Sequence, residues 1–142
     1  MNTIDPIDWY YPLYLNLGFF LALFTFFHAL VINLDDKKNL GYINFTGYFL
    51  LFFLIIYIGQ RPMSAQFGDT MNYYRGYMEY VNGASIKGAN DYGWHVFMKS
   101  MSGIASIHTF FTVCAFIYIF PMYRISKLYF KEYWFYAFFM FI

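Results

Sequence analysis

The stretch 59–77, GQRPMSAQFGDTMNYYRGY, follows directly on the apolar run YFLLFFLIIYI. It places Arg61, Asp69, Tyr73, Arg75 and Tyr77 where a greasy segment ends, and Asp91 and Trp94 come soon after. Each residue type has a definite chemistry. A guanidinium fork matches phosphate. A surface carboxylate can accept a proton from a hydroxyl, or direct that hydroxyl by a hydrogen bond. Tyrosine and tryptophan rings can lie against sugar faces. Each residue also has a plainer role. Asp69 stands where a helix N-cap belongs, and Arg61 can anchor a span end among lipid headgroups. Arg75 and Glu79, four apart, can form an ordinary surface pair worth about 0.3–0.5 kcal/mol. The tyrosines can form an interfacial aromatic belt.

Composition decides what carries these groups. Of 142 residues, 61% are hydrophobic, 27% aromatic and only 12% charged, more apolar surface than a soluble domain of this length can hide. The expected class is an all-α, polytopic membrane bundle. A net charge of +1 offers nothing to a nucleic acid, and the single cysteine, Cys114, cannot make an internal disulfide. The start carries no basic segment or small-residue cleavage site of a signal peptide.

Four apolar stretches are expected as spans. Residues 12–34 hold no Asp, Glu, Lys or Arg, with Pro12 expected in the first turn. Residues 43–59 form the second, ended by Gly59 and Pro62, and residues 107–123 the third. The polar LDDKKNLGY and the basic RISKLYFKE read as turns. Residues 133–142 begin a fourth span that stops about halfway across, so the chain is expected to be the N-terminal part of something longer. Of the extracytoplasmic segment 60–106 between the second and third spans, 60–93 is too polar to enter lipid. Within it, DTMNYYRGYMEYV reads as a helix with Tyr73, Tyr77 and Tyr80 on one face, lying flat on the bilayer with its aromatics down. Residues 94–106 read as a second amphipathic stretch.

Lys37 and Lys38 in one turn, and Arg124, Lys127 and Lys131 in another, put both turns on the cytoplasmic side. The N-terminus, with Asp5 and Asp8, and the whole of 60–93 then face outward. Arg61, Arg75 and Lys87 run against that charge trend, as does Lys99 just beyond, which hints at an anionic ligand outside.

Metal and cofactor chemistry have little to stand on. His28 lies deep in the first span, while His108 starts the third at the opposite side. No HExxH, CxxC, Walker loop or GxGxxG is present. No cofactor and no metal ligand set is expected, and His28 reads as a packed intramembrane histidine bonded to a neighbouring helix.

The pattern Arg61…Gly68-Asp69-Thr70…Tyr73, followed by Asp91-Tyr92-Gly93-Trp94, resembles the EpsG family of membrane polysaccharide polymerases, akin to the Wzy O-antigen polymerases. The likeness covers about 60–142. Asp91 stands where members carry a glutamate, Trp94 where a tyrosine is common, and members have more spans than these residues hold. The resemblance implies glycosyl transfer at the outer face of a bacterial inner membrane. The substrate would be an undecaprenyl-diphosphate-linked oligosaccharide, with other polysaccharide assembly proteins as partners. On that reading Arg61 binds diphosphate and Arg75 assists. Asp69 takes or directs the hydroxyl proton, Tyr73, Tyr77 and Trp94 hold sugars, and Asp91 orients the acceptor. The other reading is non-catalytic: part of a lipid-linked sugar transporter, a structural subunit of an envelope complex, or an inactive truncated product.

Overall fold

A computed structural model describes residues 6–33, 35–86 and 91–141. Asp5, Lys87 and the last residue of the 133–142 stretch lie outside them. Among the described residues the chain is all helical, and three helical stretches are long and apolar enough to cross a membrane.

Helix α1 runs Pro6–Val31 and α2 runs Lys37–Gly59. Pro12 therefore sits inside α1 rather than in its first turn. The helix begins earlier because Asp8, Trp9 and Tyr10 offer no breaker and Pro6 opens it instead. The turn between α1 and α2 is short. Asp36 caps α2, its carboxylate accepting from the Lys38 N–H at 2.9 Å, so the lysines expected in a loop belong to the first turn of the helix.

Gln60 closes α2, and Pro62 just beyond it lacks the N–H to continue. A short 3₁₀ turn, Ala65–Phe67, leads into α3, Thr70–Val81. Helix α4, Tyr92–Ser102, follows. Then comes α5, Ile107–Phe130, capped by Ser106.

Helix α5 corrects the expected third span. It passes Pro121 and runs straight through RISKLYF. That heptapeptide holds no glycine or proline, and its charges do not stop a helix whose backbone bonds are all internal. The reversal comes later, at Lys131, whose φ of 47° turns the chain. After the turn at Lys131–Tyr133, α6 (Trp134–Met140) folds back along α5.

Side-chain pairs fix the directions. Tyr10 stacks on Tyr57, while Gln60 meets Thr112 and Tyr48 meets Tyr123. Tyr136 meets His28. Successive long helices are thus antiparallel. The turns near 32–36 and 131–133 share one end of the bundle, and 60–106 gathers at the other.

Two apolar clusters hold this arrangement. One joins α2, α5 and α6 around Ile43, Leu50, Ile119, Trp134 and Phe138. In lipid, close fit rather than water exclusion drives such contacts, so small residues matter. A Cβ on Gly59 would stand 2.5 Å from Thr112 Cα, and one on Gly47 would stand 2.6 Å from Trp134 Cζ2. The Trp134 indole N–H donates to Asn44 Oδ1 at 2.7 Å. The second cluster joins α3, α4 and the start of α5 around Tyr77, Met98, Phe110 and Phe111. The aromatic face of α3 is therefore not wholly free to meet the bilayer. Its central tyrosine turns into α4 and α5, because their methionine and phenylalanine faces offer a closer apolar partner.

Candidate functional site

Arg61 leaves α2 one residue past the cap. Its guanidinium lies over the Phe111 ring, 5.2 Å from the centroid. Its Nε is buried and has no hydrogen-bond partner among the described residues. A buried donor left unmade costs about 1–3 kcal/mol, more when it is charged. The residue as a whole keeps partial exposure.

Beside it stands a tyrosine pair. Tyr10 and Tyr57 stack at 4.7 Å with planes 8° apart. Each hydroxyl donates to the other's backbone carbonyl, at 3.0 and 3.3 Å. Arg61 is close enough to act electrostatically on the Tyr10 hydroxyl. Phe67 meets the Tyr10 ring edge-on at 5.3 Å, which brings the approach to α3 against this corner.

Asp69 occupies the N-cap position of α3, as expected, but does not cap it with its side chain. Its backbone (φ −78°, ψ 5°) lacks the extended geometry that aims a capping oxygen at the helix. The exposed carboxylate instead accepts from Asn72 Nδ2 at 3.2 Å. The helix start is tied down by Thr70, whose hydroxyl donates to the Phe67 carbonyl at 2.7 Å. Asp91 repeats the arrangement at α4: an N-cap position, no side-chain cap bond, and an exposed carboxylate.

Tyr73 and Trp94 come together, edge to face at 5.5 Å. Tyr73 stays 38% exposed, so this pair is an aromatic wall open to its surroundings. Tyr73 also lies one turn after Asp69 on the same helix face. Tyr77 does not join them. It is 2% exposed, and its hydroxyl lies 2.7 Å from the Ala105 carbonyl and 3.1 Å from that of Met101. Burial pushes its pKa above the ordinary tyrosine value. Tyr77 locks α3 to the end of α4 and cannot present its ring to a sugar. Arg75 is exposed on α3, as is Glu79 one turn on.

Several participants were not foreseen. Nothing in the spacing of Tyr10, Tyr57 and Phe111 points to a shared corner with Arg61. Tyr80 and His95, 2.7 Å apart, form a second unforeseen tie between α3 and α4. Among the described residues no cluster of three or more His, Cys, Asp or Glu forms.

No family model, curated protein or solved structure matches the chain.

Proposed function

We propose that the chain is the membrane-embedded portion of a glycosyltransferase that polymerises lipid-linked saccharide units at the outer face of a bacterial inner membrane. The observation that carries this reading is Arg61: a cation at a span end whose buried Nε lacks an acceptor among the described residues, on the same end of the bundle as the exposed Asp69 carboxylate and the open Tyr73–Trp94 wall. A diphosphate on a polyprenyl lipid presents its oxygens at this depth. On this reading α6 is the start of a fourth span.

In the reaction, a hydroxyl oxygen of one lipid-linked unit attacks the anomeric carbon of the growing chain. The bond from that carbon to the diphosphate oxygen breaks, and the lipid diphosphate leaves with the electron pair. Arg61 stabilises the charge that develops on it. Asp69 accepts the hydroxyl proton. Tyr73 and Trp94 hold the sugar rings, Asp91 directs the acceptor, and Arg75 adds positive field.

The test is Asp69→Asn in cells producing the full-length protein. Asparagine is nearly as good as aspartate at an N-cap and keeps an acceptor for Asn72, but it cannot take a proton. Loss of polymer at unchanged protein level supports the reading. Unchanged polymer removes Asp69 from the chemistry and leaves the non-catalytic reading.

A further inference from the structure

Arg124 and Lys127 stand one turn apart near the end of α5, so their side chains are neighbours on the helix surface. With Ile125 and Leu128, both well exposed, they line an open recess of about 360 Å³. Among the described residues neither cation makes an ion pair with a carboxylate. Like charges at this spacing repel, and an anion shared between them removes the repulsion.

Lys127 is the fixed member of the pair. Its ammonium donates to the Tyr48 hydroxyl. It lies 4.8 Å from the Tyr48 ring centre and 5.7 Å from those of Tyr123 and Trp134. Residues of α2, α5 and α6 thus hold this charge in place before any ligand arrives, which lowers the ordering cost of binding. The same contacts select the ligand. A box of aromatic rings can accept the quaternary ammonium of a choline headgroup, but Lys127 already fills this one. What the recess offers is positive charge beside aliphatic side chains.

Depth adds the next constraint. From Ile107 to Arg124 the helix rises roughly 26 Å at about 1.5 Å per residue, close to the roughly 30 Å of a hydrocarbon core. With Ile107 at one boundary, Arg124 and Lys127 reach the opposite headgroup layer, at the end of the bundle that holds the 131–133 turn. A phosphate carried on a lipid lies at this level. Ile117 and Phe120, exposed one and two turns before Arg124, give its acyl chains an apolar track toward the bilayer centre.

We propose that this recess binds the phosphate of an anionic glycerophospholipid, with Arg124 and Lys127 as its two cationic contacts. The site lies at the opposite end of the bundle from Arg61 and Asp69, so it does not depend on the glycosyl-transfer reading.

Trp134, beside Lys127, supplies the reporter. The chain has three tryptophans, and Trp9→Phe with Trp94→Phe leaves Trp134 alone. The full chain with these two changes is placed in phosphatidylcholine vesicles. Quenching of Trp134 fluorescence is then compared for phosphatidylglycerol and phosphatidylcholine brominated alike in the upper part of their chains. Phosphatidylglycerol is favoured about tenfold or more. Arg124→Gln lowers that preference about fivefold, the factor of one basic residue at an anionic membrane surface, and Arg124→Lys keeps most of it. Lys37→Gln, an exposed cation at the same end but outside the recess, leaves it unchanged. Equal quenching by the two lipids overturns the proposal. So does a preference that survives Arg124→Gln, or one that Lys37→Gln lowers as much, which would describe a diffuse basic surface. Relief of the quenching by millimolar inorganic phosphate also overturns it, since the ligand would then be a soluble anion. Far-ultraviolet circular dichroism of each variant confirms that the helices are intact.

Discussion

His28 Nδ1 lies 2.8 Å from the Tyr136 hydroxyl, joining helices more than a hundred positions apart in sequence. Both residues lie in stretches long and apolar enough to cross a membrane, where hydrogen-bond partners come from other helices. The pair sets the depth of α6 against α1. Tyr136→Phe removes the bond and keeps the ring. A loss of about 0.6 kcal/mol, and at most about 1.7, is expected in reversible unfolding from detergent micelles. A double-mutant cycle with His28→Leu should show coupling of that size, and additive losses would break the assignment.

The contact of α2 with α5 depends on the missing side chain of Gly59. Gly59→Ala drives a methyl against the Thr112 backbone, which cannot swing aside. A loss of roughly 1–3 kcal/mol is expected. Gly18→Ala, where the added carbon meets nothing within 4 Å, serves as the matched control and should stay within about 0.5 kcal/mol of wild type.

Trp134 and Asn44 join α6 to α2 through a hydrogen bond at the end of the bundle that holds the 131–133 turn. Trp134→Phe leaves the Asn44 oxygen without its donor and opens space beside Gly47. About 2–4 kcal/mol should be lost, combining the orphaned acceptor with the cavity. Asn44→Leu together with Trp134→Phe should recover part of the loss, because the pair then leaves no polar atom behind.

Tyr77 predicts an alkaline limit to stability. Its pKa is raised by burial in the folded chain, so the unfolded chain gives up this proton first, near pH 10. The neutral form favoured by the fold is fully populated below that point. Stability is therefore flat with respect to this group below about pH 10 and falls as pH rises toward the folded value. Tyr77→Phe removes one late-titrating phenol in a tyrosinate absorbance titration. A late phase unchanged by the substitution would mean that Tyr77 is not among the shifted groups.

Much of this architecture was legible in the sequence. The charge-free run before residue 34 and the run ending at Gly59 read as spans and are helices long and apolar enough to cross a membrane, and the tyrosine periodicity after Gly68 reads as the helix that forms there. Sequence also pointed to a helical partner for His28, because a lone histidine deep in a span needs one. The end of α5 was misread, because Arg124, Lys127 and Lys131 looked like a turn. Charges at a span end belong to the headgroup layer and tolerate helix there. Lys127 illustrates how: its ammonium sits over Tyr48, 4.8 Å from the ring centre, with Tyr123 and Trp134 close by.

The candidate site was legible only in part. Arg61 and Asp69 stood out by type and position. That Asp69 leaves its helix uncapped is a matter of two backbone angles, which residue types do not reveal. That Tyr77 is spent on backbone carbonyls depends on where α4 ends. The Tyr10–Tyr57 stack and the Phe111 platform beneath Arg61 are long-range contacts between residues that each look like ordinary interfacial aromatics.

The most direct measurement is turnover itself. Membranes from cells producing the full-length protein would be given a polyprenyl-diphosphate-linked oligosaccharide, and the products resolved by size. The account predicts a ladder of lengthening saccharides that disappears with Asp69→Asn and with Arg61→Gln while protein levels hold. A ladder that persists in both variants, or no ladder from the unaltered protein with its substrate present, would contradict it.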